Sequence, residues 1–115
     1  MKTIIAGSRS IVNYLIVKNA IKKSEWENEI TEVVSGHAHG VDRLGERWAN
    51  FNNIPIKIFT ANWAKHGRKA GYIRNIQMGE YADALIAVWN NKSRGTKHMI
   101  DTMFTFKKPV FIHRI

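Results

Sequence analysis

Short apolar runs alternate along the chain with stretches whose apolar residues recur at helical spacing. Five of these runs are rich in β-branched or aromatic residues, end at turn residues, and lack the polar–apolar alternation of a half-exposed strand. Such a pattern is typical of strands that are buried on both faces of a parallel sheet. The predicted strands are residues 3–6, 31–34, 56–59, 84–89 and 110–113.

Four helices are predicted between these strands. The first follows Ser10, a favourable N-cap residue, and its apolar positions include Val12 and Leu15. The second covers about residues 40–52, and the third begins near residue 70. The fourth follows Gly95 and Thr96, with Thr96 as its candidate N-cap.

The element order β-α-β-α-β-α-β-α-β predicts one domain over residues 1–115. Because crossovers between parallel strands are right-handed, we expect an α/β fold of the three-layer, doubly wound, Rossmann-like type. Its sheet would have five mostly parallel strands. Ligands of such sheets bind outside the carboxyl ends of the strands, near the point where the strand order reverses. The loops that follow the strands are therefore the candidate site.

Composition narrows the class of protein. The 115 residues include no cysteine, and no apolar run approaches the roughly 20 residues that cross a bilayer. The segment from Met1 to Gly7 lacks the long apolar stretch of a secretory signal. We therefore expect a cytoplasmic protein with no membrane partner. His37 and His39 have no acidic cluster beside them, so neither a metal nor another cofactor is expected.

The positive charge is concentrated in the second half of the chain. Residues 1–55 carry seven Lys or Arg against six Asp or Glu, whereas residues 56–115 carry eleven against three. An excess of this kind favours an anionic partner: a nucleotide, a nucleic acid or another acidic surface. Solubility is the simpler explanation for isolated residues such as Lys107 and Lys108.

The loops after the first two strands combine glycines with hydroxyls and the start of a helix, which suits phosphate. A tight turn before a capped helix would need similar residues. Asp42 either complements a helix dipole, accepts a ribose hydroxyl or orients Arg9. The candidate ligand-binding residues here are Gly7, Ser8, Arg9, Ser35, Gly36, His37 and Gly40.

The loops after the third and fourth strands add cations and indole rings. Basic side chains next to glycines suit a polyphosphate, and a tryptophan offers a surface on which a base stacks. For Lys65 and Arg68 a solvated basic loop is the alternative. The candidate ligand-binding residues here are Trp63, Lys69, Gly71, Arg74, Asn75, Trp89, Ser93, Gly95 and Thr96.

Four segments, in this order, resemble the DUF2493 or YspA-like group of the SLOG superfamily, which is named for its Smf/DprA and Lonely Guy members. They are Gly7-Ser8-Arg9, residues 35–43, residues 70–75 and residues 93–101. The resemblance implies a Rossmann-like fold and a ligand related to nucleotides. It also implies a homo-oligomer, since relatives often build the pocket at a subunit interface.

Lonely Guy enzymes cleave the N-glycosidic bond of adenosine monophosphate derivatives with an arginine at a helix start and a glutamate three residues after a Gly-Thr pair. Arg74 matches that arginine, but Met99 occupies the position of the glutamate. A methionine cannot activate water or stabilise an oxocarbenium-like centre. If the chain is an enzyme, a nucleotide N-glycosidase or phosphoribohydrolase, its candidate catalytic residues are Arg74 and Asp42.

Two functions therefore follow from the sequence. The first is a site for a nucleotide-like small molecule, in a sensor or sequestering module or in an N-glycosidic hydrolase of nucleotides. The scarcity of carboxylates in the loops favours binding over turnover. The alternative is a single-stranded nucleic-acid-binding module of the DprA type, in which the basic half and the tryptophans would contact backbone and bases.

Overall fold

A computed structural model describes all residues 1–115 and shows a five-stranded sheet in which every strand is parallel to its neighbours. The strands are β1 (Lys2–Gly7), β2 (Glu32–Ser35), β3 (Ile56–Ile58), β4 (Ala84–Trp89) and β5 (Val110–Arg114). The helices are α1 (Tyr14–Lys23), α2 (Val41–Phe51), α3 (Trp63–His66), α4 (Ala70–Tyr81) and α5 (Arg94–Thr105). Single 3₁₀ turns occupy Glu27–Glu29 and Gly67–Lys69. None of the helices combines the length and the hydropathy that a membrane span requires.

The sheet has the order β3-β2-β1-β4-β5, and consecutive side chains along the central strands enter opposite cores. On β1, Ile5 packs with α1 and α2 on one face, whereas Ile4 packs with α4 and α5 on the other. Leu85 and Ile86 of β4 divide in the same way. Both faces are therefore dry, and the predicted three-layer, doubly wound α/β fold is confirmed. The order reverses between β1 and β4, at the centre of the sheet.

The start of the first helix was wrong in the sequence-based prediction. The chain becomes helical only at Tyr14, and Asn13 is the N-cap, whose side-chain oxygen accepts the Leu15 N–H at 3.0 Å. In the segment before it, Ser8 and Ile11 are buried, and the Ile11 N–H donates to the Ser8 carbonyl at 3.4 Å across a turn. Val12 is consequently 81% exposed, and the loop after β1 offers a ligand no free N–H groups of a helix start.

The N-cap of the last helix also differs from the prediction. Ser93 caps α5, because its hydroxyl accepts the Thr96 N–H at 3.3 Å. Thr96 lies within the first turn and shares a 2.9 Å hydrogen bond with the Ser93 hydroxyl. Of the other predicted boundaries, the strands agree within one residue at each end, and α4 begins at residue 70 as expected.

Candidate functional site

A cavity of about 620 Å³ opens at the carboxyl edge of the sheet. Its walls are the loops after β1, β2 and β3 together with the first turns of α4 and α5. The volume lies within the range of about 300–1,000 Å³ that is typical of small-molecule sites. Four arginines line the cavity against one carboxylate, and they are Arg9, Arg43, Arg68 and Arg74. The walls are therefore suited to an anion.

Asp42, Gly36 and Arg74 meet at the floor of the cavity. The Arg74 guanidinium donates through Nη1 to the Gly36 carbonyl at 3.0 Å, while its buried Nε has no partner. Gly36 is wedged between the two charged groups, since a Cβ at this position would lie 3.0 Å from both Arg74 Cζ and Asp42 Oδ2. A residue with no side chain is what lets the two groups approach the same backbone segment.

The Asp42 carboxyl is 5% exposed and accepts the Ala38 N–H at 3.2 Å. Burial raises the pKa of Asp42 from 3.8 to about 6, while the N–H groups of Ala38 and Gly7 and the Arg74 guanidinium act in the opposite direction. Desolvation of the charged form is the largest of these effects. The group therefore changes charge close to neutral pH, which is uncommon for an aspartate.

His37 is held from two sides at the rim of the cavity. Its Nδ1 lies 2.8 Å from Glu46 Oε2, and the same carboxylate oxygen accepts the Ser35 hydroxyl at 2.7 Å. The His37 N–H in turn donates to the Ser35 oxygen at 3.0 Å. The backbone of His37 has a positive φ of 59°, a conformation that needs such support in a residue with a side chain. This arrangement leaves Nε2 as the ring nitrogen that is free for a ligand.

Asn75 joins the helices that form the opposite wall. Its buried side-chain amide donates to the Gly95 carbonyl at 3.2 Å and lies 3.1 Å from His98 Nδ1. The His98 ring packs against Tyr72 with centroids 4.4 Å apart, and burial lowers the pKa of His98. The beginnings of α4 and α5 are thus fixed to one another beside the cavity.

Gly7 allows the tightest backbone approach at the site. A Cβ at this position would lie 2.1 Å from the Val88 carbonyl oxygen, so β1 and β4 could not pair as they do with any larger residue there. The neighbouring Ser8 is 1% exposed, and its hydroxyl accepts the Asn90 N–H at 3.2 Å. Ser8 consequently connects the loops after β1 and β4 and does not face the cavity.

Comparison with known proteins identifies a family whose sequence profile matches this chain. Residues 1–66, more than half of the chain, match the sequence profile of the YAcAr family, described as the YspA, cpYpsA-related SLOG family. The chain belongs to the YspA-related SLOG family. Membership indicates a nucleotide-related function. The matched residues contain the loops after β1 and β2 and all of α2 and α3.

This SLOG chain is also similar to the Gene 61 protein of Mycobacterium phage D29, with 41% identity over 73 residues. The similarity covers 57% of this chain and 58% of the phage protein. The chain therefore spans less than two thirds of that relative's length. No solved structure shows a significant match.

The structure of the SLOG domain divides the sequence-predicted residues into two groups. Those that line the cavity are Gly7, Arg9, Gly36, His37, Asp42, Trp63, Gly71, Arg74, Asn75, Ser93, Gly95 and Thr96. Those that do not are Ser8, Ser35, Gly40, Lys69 and Trp89. Two members of the second group support the first: the Ser35 hydroxyl donates to Glu46, and the Trp89 indole donates to the Ser93 carbonyl at 3.1 Å. Lys69 is exposed and makes no contact with the cavity.

Several residues in or beside the cavity were not among the binding residues that the sequence predicted. Arg43, Thr60 and Tyr72 line the cavity, and Glu46 orients His37. Arg43 and Tyr72 lie inside the segments that carried the resemblance, and Glu46 lies one helical turn after Asp42, so position alone could have indicated these three. Thr60 gave no such signal, because nothing in the sequence shows that the loop after β3 folds back over the cavity.

Proposed function

We propose that this SLOG domain binds a nucleotide or a nucleotide-derived phosphate ligand in the 620 Å³ cavity, as a sensor or sequestering module. The observation that carries the proposal is the convergence of four arginines and the start of α5 on a cavity with a single carboxylate. Arginine guanidinium groups and helix N–H groups are the usual protein ligands of phosphate. The site also lies where doubly wound sheets bind their ligands.

The walls of the cavity suit different parts of such a ligand. Phosphate oxygens fit the start of α5, at Gly95, with Arg74 opposite. The Asp42 carboxyl suits a ribose hydroxyl, because an ionised carboxylate accepts two hydrogen bonds. Trp63 is 60% exposed at the rim and lies against Gly71, which leaves an indole face for a base.

Isothermal titration calorimetry with AMP, ADP, GMP and GDP tests the proposal. In Arg74→Ala we expect affinity for the bound nucleotide to fall by about 10- to 100-fold, because hydrogen bonds to a charged group contribute about 1.5–3 kcal/mol. The matched control is Arg47→Ala, which removes an arginine that stacks on Tyr14 and Phe51, outside the cavity. Its affinity should equal that of the wild type.

Two results would contradict the proposal. One is the absence of binding to all four nucleotides. The other is binding of a short single-stranded DNA alone, with an affinity that falls steeply between low and high salt. Each neutralised phosphate of a nucleic acid releases counterions, so that salt dependence would favour the nucleic-acid-binding module.

A second candidate function, hydrolysis of the N-glycosidic bond of the bound nucleotide, is favoured by the His37–Glu46 pair. An imidazole whose Nδ1 is held by a carboxylate is the usual arrangement of a general acid–base. In this reaction His37 Nε2 would protonate the leaving base nitrogen as its bond to C1′ breaks. Water would add to C1′ and return its proton to His37. The Asp42 carboxylate would stabilise the positive charge on the ribose.

Chromatography for free base after incubation with nucleotide tests this second candidate. If this second candidate holds, wild-type protein releases base and His37→Gln releases it at least about 100-fold more slowly, the usual contribution of a general acid–base. His113→Gln, which changes a histidine on β5 outside the cavity, serves as the control. Binding without any released base would reject turnover and leave the binding function intact.

A further inference from the structure

A second, smaller cavity lies behind Arg74. It has a volume of about 240 Å³, and its polar walls come from Thr60, Asn62, Lys65, His66, Arg74 and Gln77. The volume is below the range of about 300–1,000 Å³ that holds a whole small molecule, so it suits one part of a ligand. Thr60 and Arg74 line this cavity and the main one, which makes the two cavities neighbours along a shared wall.

The chemistry of the second cavity is that of an anion site. None of its lining residues is acidic, and two of them, Lys65 and Arg74, carry a fixed positive charge. The Asn62 side-chain oxygen already accepts the Lys65 N–H at 3.1 Å, which leaves the amide NH₂ group as a donor. Lys65 is exposed and makes no salt bridge with any carboxylate of the chain.

Arg74 is placed to contact ligand groups in both cavities. Its Nη1 is bound to Gly36 on the side of the main cavity, and its buried Nε has no partner in the protein. A guanidinium presents five N–H donors in one plane, so that a single side chain can bind two adjacent phosphate groups. Arg74 lines both cavities, and only Nη1 is bound within the protein, so its remaining outer N–H groups can bind a phosphate oxygen.

We propose that the second cavity holds the outer phosphate of the ligand, so that the site selects nucleoside diphosphates and their derivatives over monophosphates. The first phosphate would lie in the main cavity beside α5. The diphosphate would extend past Arg74, and its outer phosphate would reach Lys65. This inference rests on the proposed nucleotide-binding function. It adds the class of ligand, which the main cavity alone leaves open.

Calorimetry with matched mono- and diphosphates, AMP with ADP and GMP with GDP, tests the inference. We expect the wild type to bind the diphosphate of the preferred base at least about tenfold more tightly than the monophosphate. Lys65→Ala should weaken diphosphate binding by about three- to tenfold and leave monophosphate binding within about twofold of the wild type. Lys18→Ala, an exposed lysine on α1, is the control and should change neither.

The outcomes separate the two proposals. Equal affinity of the wild type for mono- and diphosphate would overturn the second-phosphate site and leave nucleotide binding standing. Equal weakening of both nucleotides by Lys65→Ala would overturn it as well, because the lysine would then act only through the general positive potential. If no nucleotide binds, the proposed function fails and this inference fails with it.

Discussion

Replacing Asp42 with asparagine should raise the free energy of unfolding at alkaline pH. In acid, the free energies of unfolding of the variant and the wild type should differ less. Asparagine has nearly the shape of aspartate but cannot ionise, so the variant removes the cost of holding a charge in a site that is 5% exposed. The Ala38 N–H can still donate to the side-chain oxygen at this position.

The size of the effect follows from the pKa. The folded protein raises the pKa of Asp42 from 3.8 to about 6. One pKa unit corresponds to about 1.4 kcal/mol, so complete ionisation costs the folded state about 3 kcal/mol relative to the unfolded chain. Since the folded pKa is the higher one, the folded state binds more protons between these two values. The contribution of Asp42 to stability is therefore fully present below pH 3.8 and is lost as the pH rises through 6.

This contribution is measured by urea denaturation of the wild type and Asp42→Asn between pH 3.5 and pH 8. The upper limit lies about two units above the pKa of Asp42 in the folded protein. Differences between the two proteins cancel the titration of all other groups. The variant should gain about 3 kcal/mol relative to the wild type across this range, with the steepest change between pH 4 and pH 6. Asp101→Asn, which changes an exposed carboxylate paired with Lys97, should shift stability by less than about 1 kcal/mol at every pH.

A difference between wild type and Asp42→Asn that stays constant with pH would refute this reasoning. It would mean that the Arg74 guanidinium and the backbone N–H groups compensate the desolvation of the carboxylate completely. A difference of the opposite sign, with the variant losing stability as the pH rises, would show that Arg74 and Asp42 form a net stabilising ion pair.

Five further variants test the backbone and the rim of the site. Gly7→Ala should lower the free energy of unfolding by about 3 kcal/mol, because its Cβ would lie 2.1 Å from a carbonyl oxygen; Gly95→Ala, with nothing within 4 Å, should be neutral or stabilising in urea denaturation. Ser93→Ala and Asn13→Ala each remove an N-cap and should each cost about 1 kcal/mol, yet only the first should weaken nucleotide binding in calorimetry. Trp63→Ala should reduce affinity by about 1–3 kcal/mol and abolish fluorescence quenching by nucleotide, while an unchanged affinity would exclude stacking.

The apolar pattern was sufficient to predict the fold because both faces of the sheet are buried. Strands such as β4 (Ala84–Trp89) appear as unbroken apolar runs, and connections of helical length between parallel strands admit few topologies. The start of α1 was predicted wrongly because Ser10 and Asn13 are both good N-cap residues. In the structure Asn13 is the N-cap, and the residues Ser8 and Ile11 before it are buried, which no local pattern records.

The sequence by itself determined the layers of this protein and the edge of the sheet that carries the candidate site, and it indicated several of the residues there, among them Gly36, Arg9 and Arg74. Only the tertiary structure showed which loop residues enter the cavity and which ones support it, because Ser8, Ser35 and Trp89 make their hydrogen bonds to residues on other elements or loops. It also brought Glu46 to His37, buried Asp42 beside Arg74 and opened a second cavity behind that arginine. Those properties depend on distance and desolvation between segments far apart in the chain, and neither quantity is contained in residue type or spacing.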